Sequence, residues 1–556
     1  MRGYGVIADG NTKTQTRFNM KNCFLMLALL AALITVKAQQ SVDCIIYNAH
    51  IFSYQTMNEQ AQAMAIHQGK IIALGTSEDL LKAFHPSEKV NLNGQYVYPS
   101  WTDAHGHFMG LGLVAMQPNL RTAQSIQEII ELCVKSQKEN HLKFIKAWGW
   151  NQENFKLKQL PNNLLLNQYF PQIPVFLKRV DGHAALVNDL ALKIAGISDT
   201  SLRFGDLIQK VNGKLTGLVF DDAADAVEHS LDKLDRETQI SALLTAQKIC
   251  FDNGIAMVHD AGIDLNTLHL IDSLQSLDLL KIRINALLYL TDTSFAFLNK
   301  MGAIHHEKLH VNGFKLVVDG SLGSRGACLQ QPYSDQANWY GTFLQSPSSI
   351  NSWVRKVSNG PFQLSTHAIG DSANTFVLSS YQSNLIDKQN RRWRVEHAQV
   401  IDSTMFGYFN SKSIIPSVQP IHAYSDHDWA ISRLGASRMK YAYAYKKMLA
   451  NADKILIGTD FPVEAPHPLK NYWAAIGQFD AHASVDSIHY LTPQQALLGM
   501  TTWPAYAAFL ENELGELSPG KWADFVVYKE NFLQIPSQNQ DQLNPISLFI
   551  SGLKVK

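Results

Sequence analysis

Charge is what this sequence has least of. Asp, Glu, Lys and Arg make up 17% of the 556 residues, against roughly 25% in an average soluble chain. A chain so sparsely charged is neither a disordered polyelectrolyte nor a coiled coil. The 48 basic residues balance the 48 acidic ones, so the formal net charge is zero. No bulk positive field exists to gather nucleic acid or an anionic membrane. Cysteine is scarce too, at five, and its spacing makes no CxxC pair or zinc ribbon. No phosphate-binding loop, dinucleotide fingerprint or serine-nucleophile elbow is present. The stretch 320–326, Gly-Ser-Leu-Gly-Ser-Arg-Gly, has the glycines of a phosphate loop without their spacing, and lacks the lysine.

The apolar run 23–36 has 14 residues, short of the ~20 that cross a bilayer. Lys21 precedes it and Val36-Lys37-Ala38 ends it, the layout of an export signal cut after Ala38. Met20 is a more ordinary start for such a signal than Met1, which makes 1–19 an upstream extension. The expectation is a periplasmic or secreted protein with no stable membrane span once the signal is removed. Cleavage leaves Cys44, Cys133, Cys250 and Cys328. A pair of them can bridge in an oxidising compartment, but four buried thiols is the simpler reading.

Apolar side chains are plentiful, at 46%, enough for a large core. They recur in a unit: a short apolar run ends in a polar residue, and a helical stretch follows. Eight such runs stand at 95–101, 254–258, 282–290, 313–318, 362–366, 393–395, 414–418 and 454–458. Alternating strands and helices imply a parallel sheet, and eight of them a closed barrel. Runs at 144–148 and 175–180 also read as strands, in an insertion of about 108–245. Residues 41–100 and 522–528 are rich in strand and turn signals, which predicts a small composite β-sandwich domain built from both chain ends. The fold class is therefore α/β. A (β/α)8 TIM-type barrel at 96–505 is flanked by sandwich parts at 39–95 and 506–556, behind a leader at 1–38.

In such a barrel, reactive groups project from the C-terminal ends of the strands. Asp103-Ala104-His105-Gly106-His107 follows the first run. Histidines two apart on an extended segment point the same way and can share one metal. The run 362–366 ends at His367, 393–395 leads to Glu396-His397, and 454–458 leads to Thr459-Asp460. Lys315 lies within 313–318, and Asp319 follows it. Four imidazoles and a carboxylate at strand ends suit zinc, or another divalent metal such as manganese or iron. His183, in Arg179-Val180-Asp181-Gly182-His183, reads as a substrate or oxyanion contact, or as a loop histidine capping a turn. Asp319 and Arg325 read as residues that orient Lys315 or a substrate, or as turn residues. His422, after Gln419-Pro420, faces the pocket in this reading. His259 reads as a scaffold hydrogen bond, and His305 and His306 as surface.

These motifs resemble the amidohydrolase superfamily, and within it the amidohydrolase-3 group that includes N-substituted formamide deformylase-like enzymes. Beyond the HxH, the resemblance rests on Gly149-Trp150-Asn151-Gln152, Asp319-Gly320-Ser321-Leu322-Gly323-Ser324-Arg325, His367-Ala368-Ile369-Gly370-Asp371, Glu396-His397-Ala398-Gln399 and Gly458-Thr459-Asp460-Phe461-Pro462. It implies that His105 and His107 hold a first metal, that His367 and His397 ligate from strands five and six, and that Asp460 ligates from strand eight. Asp460 would also take the proton of the attacking water. Lys315 would be carboxylated and bridge two metals; otherwise it forms a salt bridge to Asp319 or to a substrate carboxylate. One or two divalent ions, zinc foremost, are implied. His397 and His183 would assist catalysis, and His183, Asp319, Arg325 and His422 would touch substrate. The partner is a small molecule, with no nucleic acid; a homodimer follows only by analogy with relatives.

The chemistry expected is hydrolysis of a non-peptide C–N bond in an amide, formamide, carbamate or cyclic imide, by metal-activated water. Two other readings stay open at this point. One is a deaminase of an aminated heterocycle in the same superfamily. The other is a non-catalytic binding protein on a degenerate barrel, against which the retained His and Asp set argues.

Overall fold

The computed structural model describes residues 39–179, 184–200, 204–231, 235–323, 325–385, 390–410, 413–479, 487–535 and 543–556. The leader at 1–38 and His183 lie outside the described residues. Among these residues no helix is long and apolar enough to cross a membrane.

Eight parallel strands form the centre: β1 (Trp101–Gly106), β2 (Ile255–Ile263), β3 (Arg283–Tyr289), β4 (Leu309–Val317), β5 (Gln363–Ala368), β6 (Trp393–His397), β7 (Ile414–Val418) and β8 (Leu456–Ile457). Each is hydrogen-bonded in parallel to the next. Every residue of β1, β6 and β7 is buried. Helices cover the outside and side chains fill the inside, so these strands are buried on both faces and lack the alternation of a half-exposed strand; the polar residues they carry are buried too.

β8 has only two residues, and a few backbone contacts bring it to β1. Gly106 bridges Phe461, the His107 amide donates to the Phe461 carbonyl at 2.8 Å, and the Asp460 amide donates to the His105 carbonyl at 2.7 Å. Gly458 makes this approach possible: a Cβ there would lie 2.4 Å from the His105 amide nitrogen. Gly458→Ala must therefore push the two strands apart. We expect it to cost about 1–3 kcal/mol, as overpacking does, and to lower metal retention because His105 moves. Thermal unfolding and metal analysis of the variant check both effects.

The run 95–101 is not the first barrel strand. Phe84–Pro99 is one long strand of another sheet, and β1 begins after Ser100. The residues on either side of this junction are buried, and only the half-buried Ser100 separates the two strands. His105 thus sits within β1 itself.

Both chain ends build the second sheet. Its path of neighbours runs 553–554, 547–550, 525–528, 84–99, 40–53, 63–67 and 70–75, with 58–61 beside 40–53. Phe84–Pro99 pairs in parallel with Gln40–Ser53 and antiparallel with Phe525–Tyr528. Residues far apart in sequence therefore close one composite unit. Arg283 on β3 ties it to the barrel by donating to Asp524 from Nε at 2.6 Å and Nη2 at 3.0 Å, both side chains buried. A third, five-stranded sheet spans Ile145–Trp150 to Lys214–Phe220 and carries its own apolar layers on both faces. Cys44, Cys133, Cys250 and Cys328 are buried free thiols.

Candidate metal centre

The strand ends bring His105, His367, His397, Asp460 and Lys315 to one place. His105 leaves β1 with its imidazole fully buried. The Glu396 carboxylate lies 2.6 Å from its Nδ1. An ionised carboxylate has no proton to give, so Nδ1 donates and the Nε2 lone pair faces inward. Around Nε2 stand Asp460 Oδ1 at 3.4 Å and Lys315 Nζ at 3.4 Å. His107 Nε2 lies 3.2 Å from the same Asp460 oxygen. The His397 ring sits 4.9 Å from that of His105 and 4.4 Å from that of His367, centre to centre. Donor atoms of His105, His397 and Asp460 all fall within 4.8 Å of one another.

The backbone bends sharply to present these groups. His397, Ala398 and Asp460 have φ of 68°, 43° and 58°, the left-handed region that non-glycine residues avoid. Each costs of order 1–3 kcal/mol, held in place by the surrounding packing. Asp103 contributes by accepting from the amides of His105 and Thr459, each at 3.1 Å, and from the Thr459 hydroxyl at 2.6 Å. That clamps the end of β1 to the segment that carries Asp460.

Several buried polar atoms here have no hydrogen-bond partner: Asp460 Oδ1, His397 Nδ1 and His367 Nε2. Left so, each would cost of order 1–3 kcal/mol. A divalent cation held with His105 would satisfy His397 and Asp460 together, while His367 Nε2 lies 3.6 Å from Asp319 Oδ1; a nitrogen-and-oxygen set suits zinc or a metal like it. Electrostatics prepares the imidazoles as ligands. Burial, then the nearby Lys315, pulls His105 down to about 4 and His367 down to about 3. Burial, then His367 and His105, takes His397 well below the ordinary histidine value. All three carry free lone pairs at neutral pH, the form a metal requires. For Asp460, burial pushes the carboxyl up, but the neighbouring histidines outweigh it and hold it below the usual range.

Lys315 is buried at 3% exposure. Burial lowers its ammonium, against the pull of Glu396 and Asp460. Its salt bridge to Asp319 does not form. Asp319 Oδ2 instead accepts from the amides of Cys328 and Gly370, and Oδ1 from that of Ile369, at 2.9–3.0 Å. Asp319 is also fully buried and off the cavity wall, which corrects its reading as a substrate contact. Three loop amides saturate it, and its work is to hold the turn beside His367. Arg325 is corrected likewise. It pairs with Asp335 through Nε at 3.1 Å and Nη2 at 3.0 Å, away from the cavity. His422 does face the pocket, its ring stacked on His397 at 6.2 Å and 9°, with Nε2 unpartnered.

Two functional side chains escaped the sequence reading. Glu396 and Arg394 are both fully buried. Arg394 Nε lies 2.7 Å from Glu396 Oε1, and its other nitrogens reach His259 Nδ1 at 2.9 Å, the Ala104 carbonyl at 2.5 Å and Ser417 Oγ at 3.2 Å. His259 is the scaffold hydrogen bond expected of it. The signal was in the sequence: opposite charges two apart, Trp393-Arg394-Val395-Glu396, in an otherwise apolar strand. Buried charges need partners, and alternate strand positions share a face.

Above these groups opens a cavity of about 390 Å³, walled by Tyr289, Val317, Leu322, Ile369 and Trp429. That is room for a small molecule.

Comparison with known proteins agrees with this geometry. The model of the Amidohydrolase family matches residues 88–552. The protein LONG AFTER FAR-RED 3 of Arabidopsis thaliana is 32% identical over 518 residues, covering 88% of this chain and 87% of that one. The N-substituted formamide deformylase of Arthrobacter pascens is 21% identical over 540 residues, covering 92% and 98%. The crystal structure of a metal-dependent hydrolase from Pyrococcus horikoshii superposes with a TM-score of 0.76 at 25% identity, covering 89% and 98%.

Proposed function

Because the chain belongs to the amidohydrolase family, we propose that this metal-dependent hydrolase cleaves a non-peptide C–N bond of a small molecule, an N-substituted formamide or a related amide, carbamate or imide. The observation that carries the reading is the convergence of buried His105, His397 and Asp460 donor atoms, those of His397 and Asp460 unpartnered, beneath a cavity of small-molecule size. The relation to the Arthrobacter pascens deformylase supports the bond type.

His105, His107, His367, His397 and Asp460 would hold the ion, with zinc the best match to the donors. A bound divalent metal supplies a low-pKa water and polarises the scissile carbonyl. The chain's own residues do the rest. With one oxygen of Asp460 facing His105, His107 and the ion, the other oxygen of the carboxylate would accept the proton of the attacking water and return it to the leaving nitrogen. His422 Nε2 faces the cavity unpartnered and is placed to donate to the carbonyl oxygen as charge builds there. The apolar part of the wall, Tyr289, Val317, Leu322 and Ile369, would pack against the substrate.

Lys315 belongs to this site as a carbamate. No carboxylate among the described residues pairs with its amine, and an unpaired ammonium beside ligand nitrogens is costly in so buried a position. The neutral amine attacks carbon dioxide, an N–C bond forms, and one proton leaves. The product is an anionic oxygen ligand, which would hold a second metal. The apolar run at 23–36 supports export to the periplasm or beyond.

Metal analysis of the protein, purified without chelator and with bicarbonate, tests the site. About two equivalents are expected, falling to about one for Lys315→Ala. Turnover of a panel of formamides, amides, carbamates and imides tests the reaction. Protein that holds metal yet hydrolyses none of them would overturn the C–N reading.

A further inference from the structure

The cavity divides its charge. Its floor carries the histidines and Lys315, and the cation that the donor set fits adds to them. Its wall carries two more carboxylates, Asp426 and Glu464. Asp426 follows the helix Pro420–Ser425 and Glu464 follows β8. Burial first, and Glu464 after it, push the Asp426 carboxyl up, against Tyr443 and His422. Among the described lining residues there is no arginine, and the only lysine is Lys315, already committed at the floor beside His105.

Neither carboxylate is used up by the protein. Asp426 Oδ2 accepts from the Tyr443 hydroxyl at 2.7 Å, and Gln399 Nε2 stands 3.5 Å away, which leaves Oδ1 open. Glu464 has no hydrogen bond or ion pair among the described residues. Trp429 stands on the same wall. Arg433, 5.8 Å from that ring, does not serve this pair of carboxylates, because Asp335 takes its guanidinium. Two like charges lining one cavity repel, and a cation seated between them relieves both. An aromatic face beside them adds attraction for the same cation. The acidic pair does not stand alone as a site. It shares one cavity with the unpartnered atoms of His397 and Asp460, which are 5% and 7% exposed.

Resting on the C–N hydrolase reading, we propose that the substrate carries a protonated amine or similar cation on the part that does not react, seated between Asp426, Glu464 and Trp429. Its carbonyl goes to the floor and its cation to the wall. A carboxylate at the same position would meet two negative groups and no cation, so N-acyl amino acids and dipeptides are discriminated against.

Three matched N-benzylformamides test this, bearing a para-aminomethyl, para-methyl or para-carboxylate group. Hydrolysis of any of them by the metal-loaded protein reports on the reaction. Binding, by calorimetry on the metal-loaded Asp460→Asn protein, reports on the subsite independently of turnover. We expect the aminomethyl compound to bind about tenfold tighter than the methyl one, and the carboxylate at least tenfold weaker; each tenfold is about 1.4 kcal/mol. In a protein that also carries Glu464→Gln, the aminomethyl-to-methyl ratio falls toward one. Equal affinities, a tighter carboxylate, undetectable binding of all three, or a ratio unmoved by Glu464→Gln would each overturn the proposal. Failed turnover with the expected binding order would instead count against the C–N reading alone.

Discussion

Asp460→Asn is expected to lower kcat about a thousandfold while leaving the fold intact, the middle of the range that general acid–base catalysis contributes. The fold survives because the strand contact at this position is made by the backbone: the Asp460 amide donates to the His105 carbonyl at 2.7 Å, and asparagine keeps that. Its side-chain Oδ1 faces only the imidazoles of His105 and His107, at 3.4 and 3.2 Å, and asparagine keeps an oxygen there. Asparagine can still offer one oxygen to a metal, but it cannot take up a proton. The measurement is kcat beside metal content and melting temperature for the same preparation. A thousandfold loss with metal retained places the proton with Asp460. Turnover within tenfold of the parent would remove Asp460 from proton transfer and leave it a ligand only.

Much of this centre was legible before the structure because barrel chemistry concentrates at strand ends. His367, His397 and Asp460 each close a short apolar run, and buried parallel strands announce themselves by their unbroken hydrophobicity. The same property hid the start of β1. Pro99 and Trp101 are both buried, so the passage from the composite sheet into the barrel is marked only by the single polar residue Ser100. For Asp319 and Arg325 the sequence left two roles open, substrate contact or turn residue, for a different reason. Their partners are distant or local in ways that residue type does not reveal. Asp319 is saturated by amides of residues 328, 369 and 370, and a carboxylate that binds backbone looks in sequence like one that binds substrate. Arg325 is taken by Asp335, ten residues on. The acidic wall was equally invisible: Asp426 and Glu464 are 38 positions apart and share only the cavity.

Glu396 carries the second large effect. Its Oε2 holds His105 Nδ1 at 2.6 Å and its Oε1 lies 2.7 Å from Arg394 Nε, with every partner fully buried. Burial alone would push this carboxyl up; Arg394 and His105 overcome it and keep it ionised. The charge therefore serves two ends at once. It fixes the imidazole tautomer that leaves Nε2 free, and it neutralises a guanidinium that has no water. Glu396→Gln separates them. The amide can still accept from one neighbour, but its NH2 must then face a donor on the other side, and His105 loses the partner that orients it. Metal affinity should fall roughly 10–100-fold, as it does when the group behind a ligating histidine is changed, read by competition against a chelator of known affinity. Glu396→Ala should do more. It strands Arg394 in the core without a counter-charge, at a cost of about 3–5 kcal/mol, seen as a large drop in melting temperature or as insoluble protein. Pairing it with Arg394→Met separates the two roles. Removing the orphaned guanidinium should restore much of the stability, because an apolar pair of similar volume replaces an ion pair at little cost. It should not restore metal affinity, because His105 still has nothing to hold Nδ1. If the double variant binds metal as tightly as the parent, orientation of His105 by Glu396 is not what prepares the site.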